Sequence, residues 1–391
     1  MAYKSLYRKY RPNTFDDVYG QEFIIKTLKN SLQNKKICHA YLFSGSRGTG
    51  KTTVAKIFAR MVNCLNPKEN MPCGNCEICK NENTDEIQDI IEIDAASNNG
   101  VDEIRELKNK IKLVPVLCKY KVYIIDEVHM LSTGAFNALL KTLEEPPEHV
   151  IFILATTEPQ KLPVTIISRC QRFDFKRITL SDIENRLLYI SQKENIKISS
   201  SAIAEIALIS DGALRDAIGI LDQVSSFSDK TIEIDDIYII GGNVSYTVLK
   251  DLIEAYLNNE LEKILNIIET IYLEGKDFSK LTEKVLYVFR NMLICKKASE
   301  YFKTKDTILK EWIFEKSSNV NDYELKNAIE NFEQLSREIK FSNYPRILFE
   351  LYMLKGINEN IEPIKIEDEK KTLNKKEPEK INNDIYIKQK E

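Results

Sequence analysis

Residues Gly45-Ser46-Arg47-Gly48-Thr49-Gly50-Lys51-Thr52 fill the pattern G-x-x-x-x-G-K-[ST] at every fixed position. An average-composition chain of this length meets that pattern by chance on the order of once in a hundred. The setting narrows it further, because an apolar β-branched run, HAYLFSG (39–45), precedes the loop. A periodic segment with Val54, Ile57, Phe58 and Met61 at helical spacing follows it. Glycines let successive backbone N–H groups turn inward around phosphate oxygens. Lys51 supplies a point charge, Thr52 a hydroxyl for Mg²⁺, and the helix its positive end. The chain therefore has to fold around a strand–loop–helix unit that binds a nucleotide.

About seventy residues on, KVYIIDE ends in Asp126-Glu127. Adjacent strand residues point to opposite faces, so the two carboxylates can take different tasks. Asp126 is expected to complete the Mg²⁺ shell and Glu127 to orient and deprotonate an attacking water. IQDIIEIDA (87–95) and VIFILATT (150–157) give two further strands alternating with helical patterns, the signature of a parallel sheet with flanking helices.

From about Ser181 the strand signal stops, and three short helical patterns follow, with Ser181 and Ser200 placed as N-caps and Glu184 three residues after the first. Gly241-Gly242 punctuates the chain, and 243–357 reads almost entirely as amphipathic helix. The expected domains are 1–180, 181–242 and 243–357. The stretch 358–391 is a Lys/Glu/Asn-rich tail, sparse in large apolar groups and expected to be disordered.

Composition limits the class. With Lys+Arg 56 against Asp+Glu 59, the net charge of −3 gives no chain-wide basic field, so any nucleic-acid contact is local or shared with other subunits. No apolar run approaches a membrane span, and the N-terminus lacks the apolar core of a signal peptide. Eight cysteines without such a signal argue for metal or incidental thiols. Cys64, Cys73, Cys76 and Cys79 form C-x8-C-x2-C-x2-C. Four thiolates at this spacing close a tetrahedral structural zinc site (64–79), with an iron–sulfur cluster as the alternative metal reading. Cys38, Cys118, Cys170 and Cys295 are scattered and expected to be plain thiols.

The segments LYRKYRPNTFDDVYGQ, the phosphate loop, the four-cysteine insert, DAASNNGVDEIREL, DEVHMLS, NALLKTLEEPPEHVIFILATTEPQKLPVTIISRCQRF and DGALRDA occur in this order. Together they resemble the gamma/tau family of bacterial DNA polymerase III, the AAA+ ATPases of the replicative clamp loader. The resemblance is specific over 1–242 and looser beyond.

It implies an α/β AAA+ core with a zinc insert, an all-α lid and an all-α collar. The implied assembly is a cytoplasmic, nucleoid-associated five-subunit ring with delta, delta-prime and further gamma/tau copies, acting in the DNA polymerase III holoenzyme. ATP binding would open the β sliding clamp, and primer–template DNA would trigger hydrolysis and release. Another AAA+ DNA-remodelling ATPase and a non-hydrolysing architectural subunit are the alternatives, weakened by the zinc insert and by Lys51 and Glu127 respectively.

The resemblance also assigns roles. Arg169 of Ser168-Arg169-Cys170 would be a trans finger into a neighbour's ATP site. Thr157, or alternatively Thr156, would be sensor 1, and Arg215 sensor 2. ATP contacts would come from Tyr7, Arg11, the phosphate loop with Thr53, Asp126 and Arg215. Ser97, Asn98, Asn99 and Arg105 are candidate DNA contacts. The long forms' additional C-terminal domains find no counterpart in the sequence, so the chain is expected to be either a short form or a truncated piece of a longer one.

Overall fold

The computed structural model describes residues 3–67, 72–80, 88–98, 100, 110–227, 230–303 and 309–356. Among them, β1 (Ala40–Ser44), β2 (Ile90–Asp94), β3 (Lys121–Asp126), β4 (Val150–Thr156) and β5 (Gln171–Asp174) form one sheet in the order β2-β3-β4-β1-β5. Every pairing is parallel. Helices α1 (Leu6–Lys9) and α2 (Glu22–Gln33) precede β1, and α3 (Lys51–Asn63) follows the phosphate loop. Helix α4 (Glu77–Lys80) lies in the cysteine insert, while α5 (Thr133–Glu144) and α6 (Val164–Ile167) flank β4.

Alternation along the strands builds two cores. Tyr41, Phe43, Val122, Ile124, Ile151 and Ile153 face Leu28 of α2 and Val54, Ile57 and Phe58 of α3. Leu42, Tyr123, Ile125, Phe152 and Leu154 face Ala135, Phe136, Leu139 and Leu143 of α5. Both faces are covered, which is why β1, β3 and β4 read as unbroken apolar runs. Each fully buried Leu, Ile or Phe contributes about 1.5–3 kcal/mol.

The sequence pattern did not show β5. Its four residues, QRFD, carry one buried apolar side chain, Phe173, because the strand lies at the sheet edge.

The helical segment after the sheet comprises α7 (Leu180–Glu194), α8 (Ser200–Ile209), α9 (Leu214–Ser225) and α10 (Ile234–Ile240), one helix more than the three expected. The N-caps also differ from expectation. Thr179 accepts the N–H of Asp182 at 3.2 Å and Ser199 that of Ala202 at 3.3 Å, so Ser181 and Ser200 stand inside their helices. In both cases the residue still in the extended region, immediately before the helix, takes the cap.

Among the described residues, those up to 245 together with 275–277 make one compact unit, and those of 246–274 and 278–356 the other. In the second unit the described elements are α11 (Tyr246–Leu257), α12 (Leu261–Leu273), α13 (Phe278–Lys297), α14 (Ser299–Lys303), α15 (Lys310–Ser317), α16 (Asp322–Glu338) and α17 (Pro345–Gly356). Their core centres on Phe289 stacked on Phe332 at 5.6 Å, with Tyr256 and Phe349 packed beside Phe332. The tail expected over 358–391 lies outside the described residues. No helix among the described residues is long and apolar enough to cross a membrane.

Entry into β3 is fixed by Asp89, which is 1% exposed. Its carboxylate accepts the backbone N–H groups of Val116 (2.9 Å), Leu117 (2.7 Å) and Cys118 (3.0 Å). Burial pushes the carboxyl pKa up, but these donors, with Lys121 nearby, outweigh it and hold the pKa below the usual carboxylate range.

Asp89→Asn should therefore destabilise the fold by about 2 kcal/mol at neutral pH, since hydrogen bonds to a charged acceptor are lost. A depressed folded-state pKa means this stabilisation is complete above the unfolded pKa of about 4 and fades as pH falls through the folded value. Chemical denaturation of both proteins between pH 7 and pH 3 should show the difference shrinking on acidification. A pH-independent gap would contradict the ionic account.

Candidate functional site

The parallel sheet delivers the ends of β1, β3 and β4 to one edge, and the expected nucleotide residues gather there. The phosphate loop leaves β1 with a hydrogen bond from Gly45 N to Thr156 O (3.2 Å). Its glycines are required by geometry. Gly45 has φ +146°, and a Cβ there would stand 2.5 Å from Phe175 O. Gly48 has φ +77°, and a Cβ there would meet that of Ala213 at 2.7 Å. The segment entering α9 thus packs directly on the loop.

Lys51 is 6% exposed and donates to the carbonyls of Gly45 and Ser46, each at 2.9 Å. Burial pulls its pKa below the ordinary lysine value, and the carboxylates of Glu127 and Asp126 act in the opposite sense. The Thr49 hydroxyl donates to Ser46 O at 2.8 Å, while Arg47 is exposed.

Thr52 Oγ1 donates to Asp126 Oδ2 at 2.6 Å, which brings the two expected Mg²⁺ ligands together. One hydroxyl and one carboxylate in contact beside a phosphate loop suit Mg²⁺, which takes few protein oxygens and keeps the rest of its shell for phosphate and water.

Glu127 does not continue β3. It adopts a left-handed backbone, φ 47° and ψ 44°, with its N–H donating to Asp126 Oδ1 at 2.9 Å. The two carboxylates diverge because of this turn, not because of strand alternation. For a residue bearing a Cβ the conformation costs about 1–2 kcal/mol, and such strain concentrates at functional sites. The Glu127 carboxylate crosses to the end of β4, where Oε2 accepts from Thr157 N (3.2 Å) and Thr157 Oγ1 (3.0 Å). Thr156, the alternative to Thr157, is fully buried, and its hydroxyl accepts the Glu158 N–H at 3.0 Å.

Arg215 is exposed in the first turn of α9, its guanidinium 5.1 Å from the Tyr7 ring centroid. Arg11 Nε donates to Thr53 Oγ1 at 3.2 Å, joining the N-terminal arm to α3. Arg169 is not in this cluster. Its guanidinium donates to Thr165 O and to Glu144 Oε1, both at 2.7 Å.

Ser97 and Asn98 form a turn on Asp94. Asn98 gives both its backbone N–H and its side-chain amide to Asp94 O at 3.0 Å, and the Ser97 hydroxyl reaches the Asp94 carboxylate at 3.4 Å. Asn99 and Arg105 lie outside the described residues.

The cysteines converge: the Sγ atoms of Cys64, Cys73, Cys76 and Cys79 all lie within 4.8 Å of one another. Cys79 is 3.6 Å from Cys64 and 3.9 Å from Cys73. A tetrahedral ion with Zn–S bonds of about 2.3 Å needs sulfurs about 3.8 Å apart, so the set fits zinc. Sulfurs drawn this close around one point leave room for one ion, not for a multi-iron cluster. Backbone N–H groups of Asn75 and Cys76 bring the Cys73 thiol down to about 6, while burial pushes the Cys64 and Cys79 thiols up.

His129 was missed by the sequence reading. It is buried beside Glu127, Thr156 and Glu158, and its only sequence signal was its place two residues after the acidic pair.

Residues 20–179 match the family model described as DNA polymerase III, delta subunit, and 182–230 match that of the DNA polymerase III clamp loader subunit, ATPase lid domain. The chain is 48% identical over 356 residues to the DNA polymerase III subunit tau of Bacillus subtilis (91% of this chain, 63% of the relative). It is 42% identical over 286 residues to that of Escherichia coli (73% and 44%). It therefore spans about half to two thirds of the length of these two tau subunits. The DNA polymerase III subunit gamma of Buchnera aphidicola from Baizongia pistaciae is matched along its whole length, 35% identical over 372 residues and 94% of this chain. With a full-length relative at that identity, and a phosphate loop, acidic pair and four-cysteine cluster each assembled in space, the chain belongs to the DNA polymerase III subunit gamma/tau family.

Proposed function

We propose that the chain is an ATP-hydrolysing motor subunit of a replicative clamp loader, of the AAA+ class. The observation carrying this is the junction at the sheet edge, where Thr52 is paired with Asp126 and Glu127 reaches the β4 end, all beside the phosphate loop. A protein that only bound nucleotide would have no use for a carboxylate held in a strained backbone next to the phosphate site.

In this reading the loop N–H groups and Lys51 bind the β- and γ-phosphates, with Lys51 leaving the Gly45 and Ser46 carbonyls to do so. Thr52 and Asp126 would hold Mg²⁺, which when bound neutralises developing phosphate charge. Glu127 accepts a proton from the water whose oxygen attacks the γ-phosphorus as the bond to the ADP oxygen breaks. Thr157 orients Glu127 and senses the γ-phosphate, and Arg215 links that phosphate to the helical lid of α7–α10.

Arg169 acts on the ATP of an adjacent subunit, which makes turnover depend on assembly. The partners are delta, delta-prime and further gamma/tau copies in a five-subunit ring. The ring would open the β sliding clamp on ATP binding and release it on primer–template DNA. In the same reading Tyr7 and Arg11 would contact the base, Thr53 would join the ATP contacts, and Ser97, Asn98, Asn99 and Arg105 would contact DNA. The lid is taken as 181–242 and the collar as 243–357, and the cysteine cluster holds structural zinc.

Assays of the reconstituted loader, of the isolated chain and of its metal content test this. In the reconstituted loader with clamp and primer–template DNA, Glu127→Gln should bind ATP normally while turnover falls by about a hundredfold or more. Arg169→Ala should show the same separation, and failure of ATP binding in either variant contradicts its assigned role. DNA- and clamp-indifferent turnover by the isolated chain would sink the clamp-loader reading. Metal analysis should find about one zinc per chain, following the four-thiolate rule, with chelation lowering the melting temperature. A metal-free or iron-containing protein overturns that assignment.

A further inference from the structure

We infer that His129 is a positioning residue for hydrolysis: its imidazole braces Glu127 against the end of β4, one ring nitrogen serving Glu127 and Thr156, the other Glu158. The inference rests on the ATPase reading above and adds a residue to it.

His129 lies in the 3-10 turn Val128–Met130, which begins immediately after the left-handed residue Glu127. The turn folds the ring back under the carboxylate, leaving the side chain 6% exposed. Nδ1 is 3.1 Å from Thr156 Oγ1 and 3.4 Å from Glu127 Oε2. Nε2 is 3.4 Å from Glu158 Oε1. A buried imidazole needs polar partners for its nitrogens, and here Nδ1 bonds the Thr156 hydroxyl while a carboxylate lies 3.4 Å from each nitrogen.

Glu127 Oε2 accepts from Thr157 N and Oγ1 on one side and has His129 Nδ1 3.4 Å away on the other. A glutamate has several free torsions, and Glu127 stands outside the sheet ladder that fixes Asp126. Without the brace its carboxylate samples orientations that do not face an attacking water, and misplacement by about 1 Å can cost a hundredfold in rate.

The same ring reaches the hydroxyl of Thr156 and, through Glu158, the residues just past β4. A pull on the Thr156–Glu158 segment is thereby transmitted to the base. His129 itself contacts neither Lys51 nor any loop N–H and meets the loop only through Thr156, whose carbonyl accepts from Gly45 N, so the effect belongs chiefly in the turnover rate.

The alternative is that His129 only satisfies the buried Thr156 hydroxyl. Two substitutions separate the nitrogens, because an asparagine amide nitrogen occupies the place of Nδ1 and a glutamine amide nitrogen that of Nε2. In the reconstituted loader, His129→Asn should keep kcat within about threefold of wild type, while His129→Gln and His129→Ala lose roughly ten- to a hundredfold. KM and ATP affinity should stay within about twofold in all three, as for an interaction that matters only on the way to the transition state.

Equal losses in the Asn and Gln variants, tracking their melting temperatures, would show a packing residue and overturn the inference. So would wild-type turnover in all three variants, or affinity falling in step with kcat. If the wild-type loader itself does not hydrolyse ATP, the ATPase reading fails and the role of His129 fails with it. An active wild type with unchanged variants removes only the role of His129.

Discussion

The registered pairing of β1 and β3 on either side of β4 is the constraint from which the nucleotide site follows. Ser44 lies opposite Thr156, and Ile125 opposite Leu154, so the three strands end within a residue or two of one another. The hydrogen bond from Gly45 N to Thr156 O then continues the β1–β4 ladder into the loop. A slip of one residue in this register would reverse every side chain of a strand between the two cores. It would also separate Thr52 from Asp126 and Glu127 from Thr157. Apolar packing on both sheet faces thus holds the polar groups at the edge in place, although none of those polar groups belongs to the core.

A second coupling runs through the amino-terminal arm. Leu6 is buried in the core of the α7–α10 helices, far from it in sequence. Asp222 of α9 accepts the Leu6 N–H and the Tyr3 hydroxyl, Glu194 of α7 accepts from Lys9 and Tyr10, and Arg186 donates to Tyr10 O. Arg11 at the end of the same arm reaches Thr53, and Ala213 abuts Gly48. These helices thus contact the nucleotide edge at two points, through the arm at Thr53 of α3 and through the start of α9 at Gly48. On the proposed reading, this would give Arg215, which lies over Tyr7, a physical route for coupling lid position to nucleotide state.

What the sequence made legible follows the distinction between local and non-local information. The phosphate loop, the acidic pair and the cysteine spacing are local patterns, and the structure brings each set together in space. The three central strands were readable because burial on both faces leaves an apolar run. β5 was not, since an edge strand of four residues has one inward position to fill. Ser181 and Ser200 were misplaced as caps because any serine near a helix start satisfies the pattern. Only backbone conformation selects Thr179 and Ser199. Glu127 shows the sharper case: its divergence from Asp126 was anticipated for the wrong reason, since positive φ at a glutamate leaves no trace in composition or periodicity. His129 and Asp89 were invisible for a related reason. Each acts on partners about 27 residues away or just beyond the next strand, and single-sequence reading carries no pairing information.

The cysteine cluster can be separated from the chemistry by the same geometry. Helix α3 begins with Lys51 at the nucleotide edge, and its 13 residues end at Asn63, beside Cys64. At 1.5 Å per residue that is about 20 Å, so the sulfurs sit near the opposite edge of the sheet. There they are built into the fold: Ile78 belongs to the α2–α3 core and Cys76 packs against it. Asn63 meanwhile exchanges hydrogen bonds with both backbone groups of Tyr120 at the entry to β3, at 3.0 and 2.8 Å. That entry is the one Asp89 holds through Val116, Leu117 and Cys118. A metal bound by the four thiolates would thus fix where α3 ends and where β3 begins. On the proposed reading it would act on Asp126 and Glu127 only by holding the strand that carries them, about 20 Å from the phosphate loop at the other end of α3.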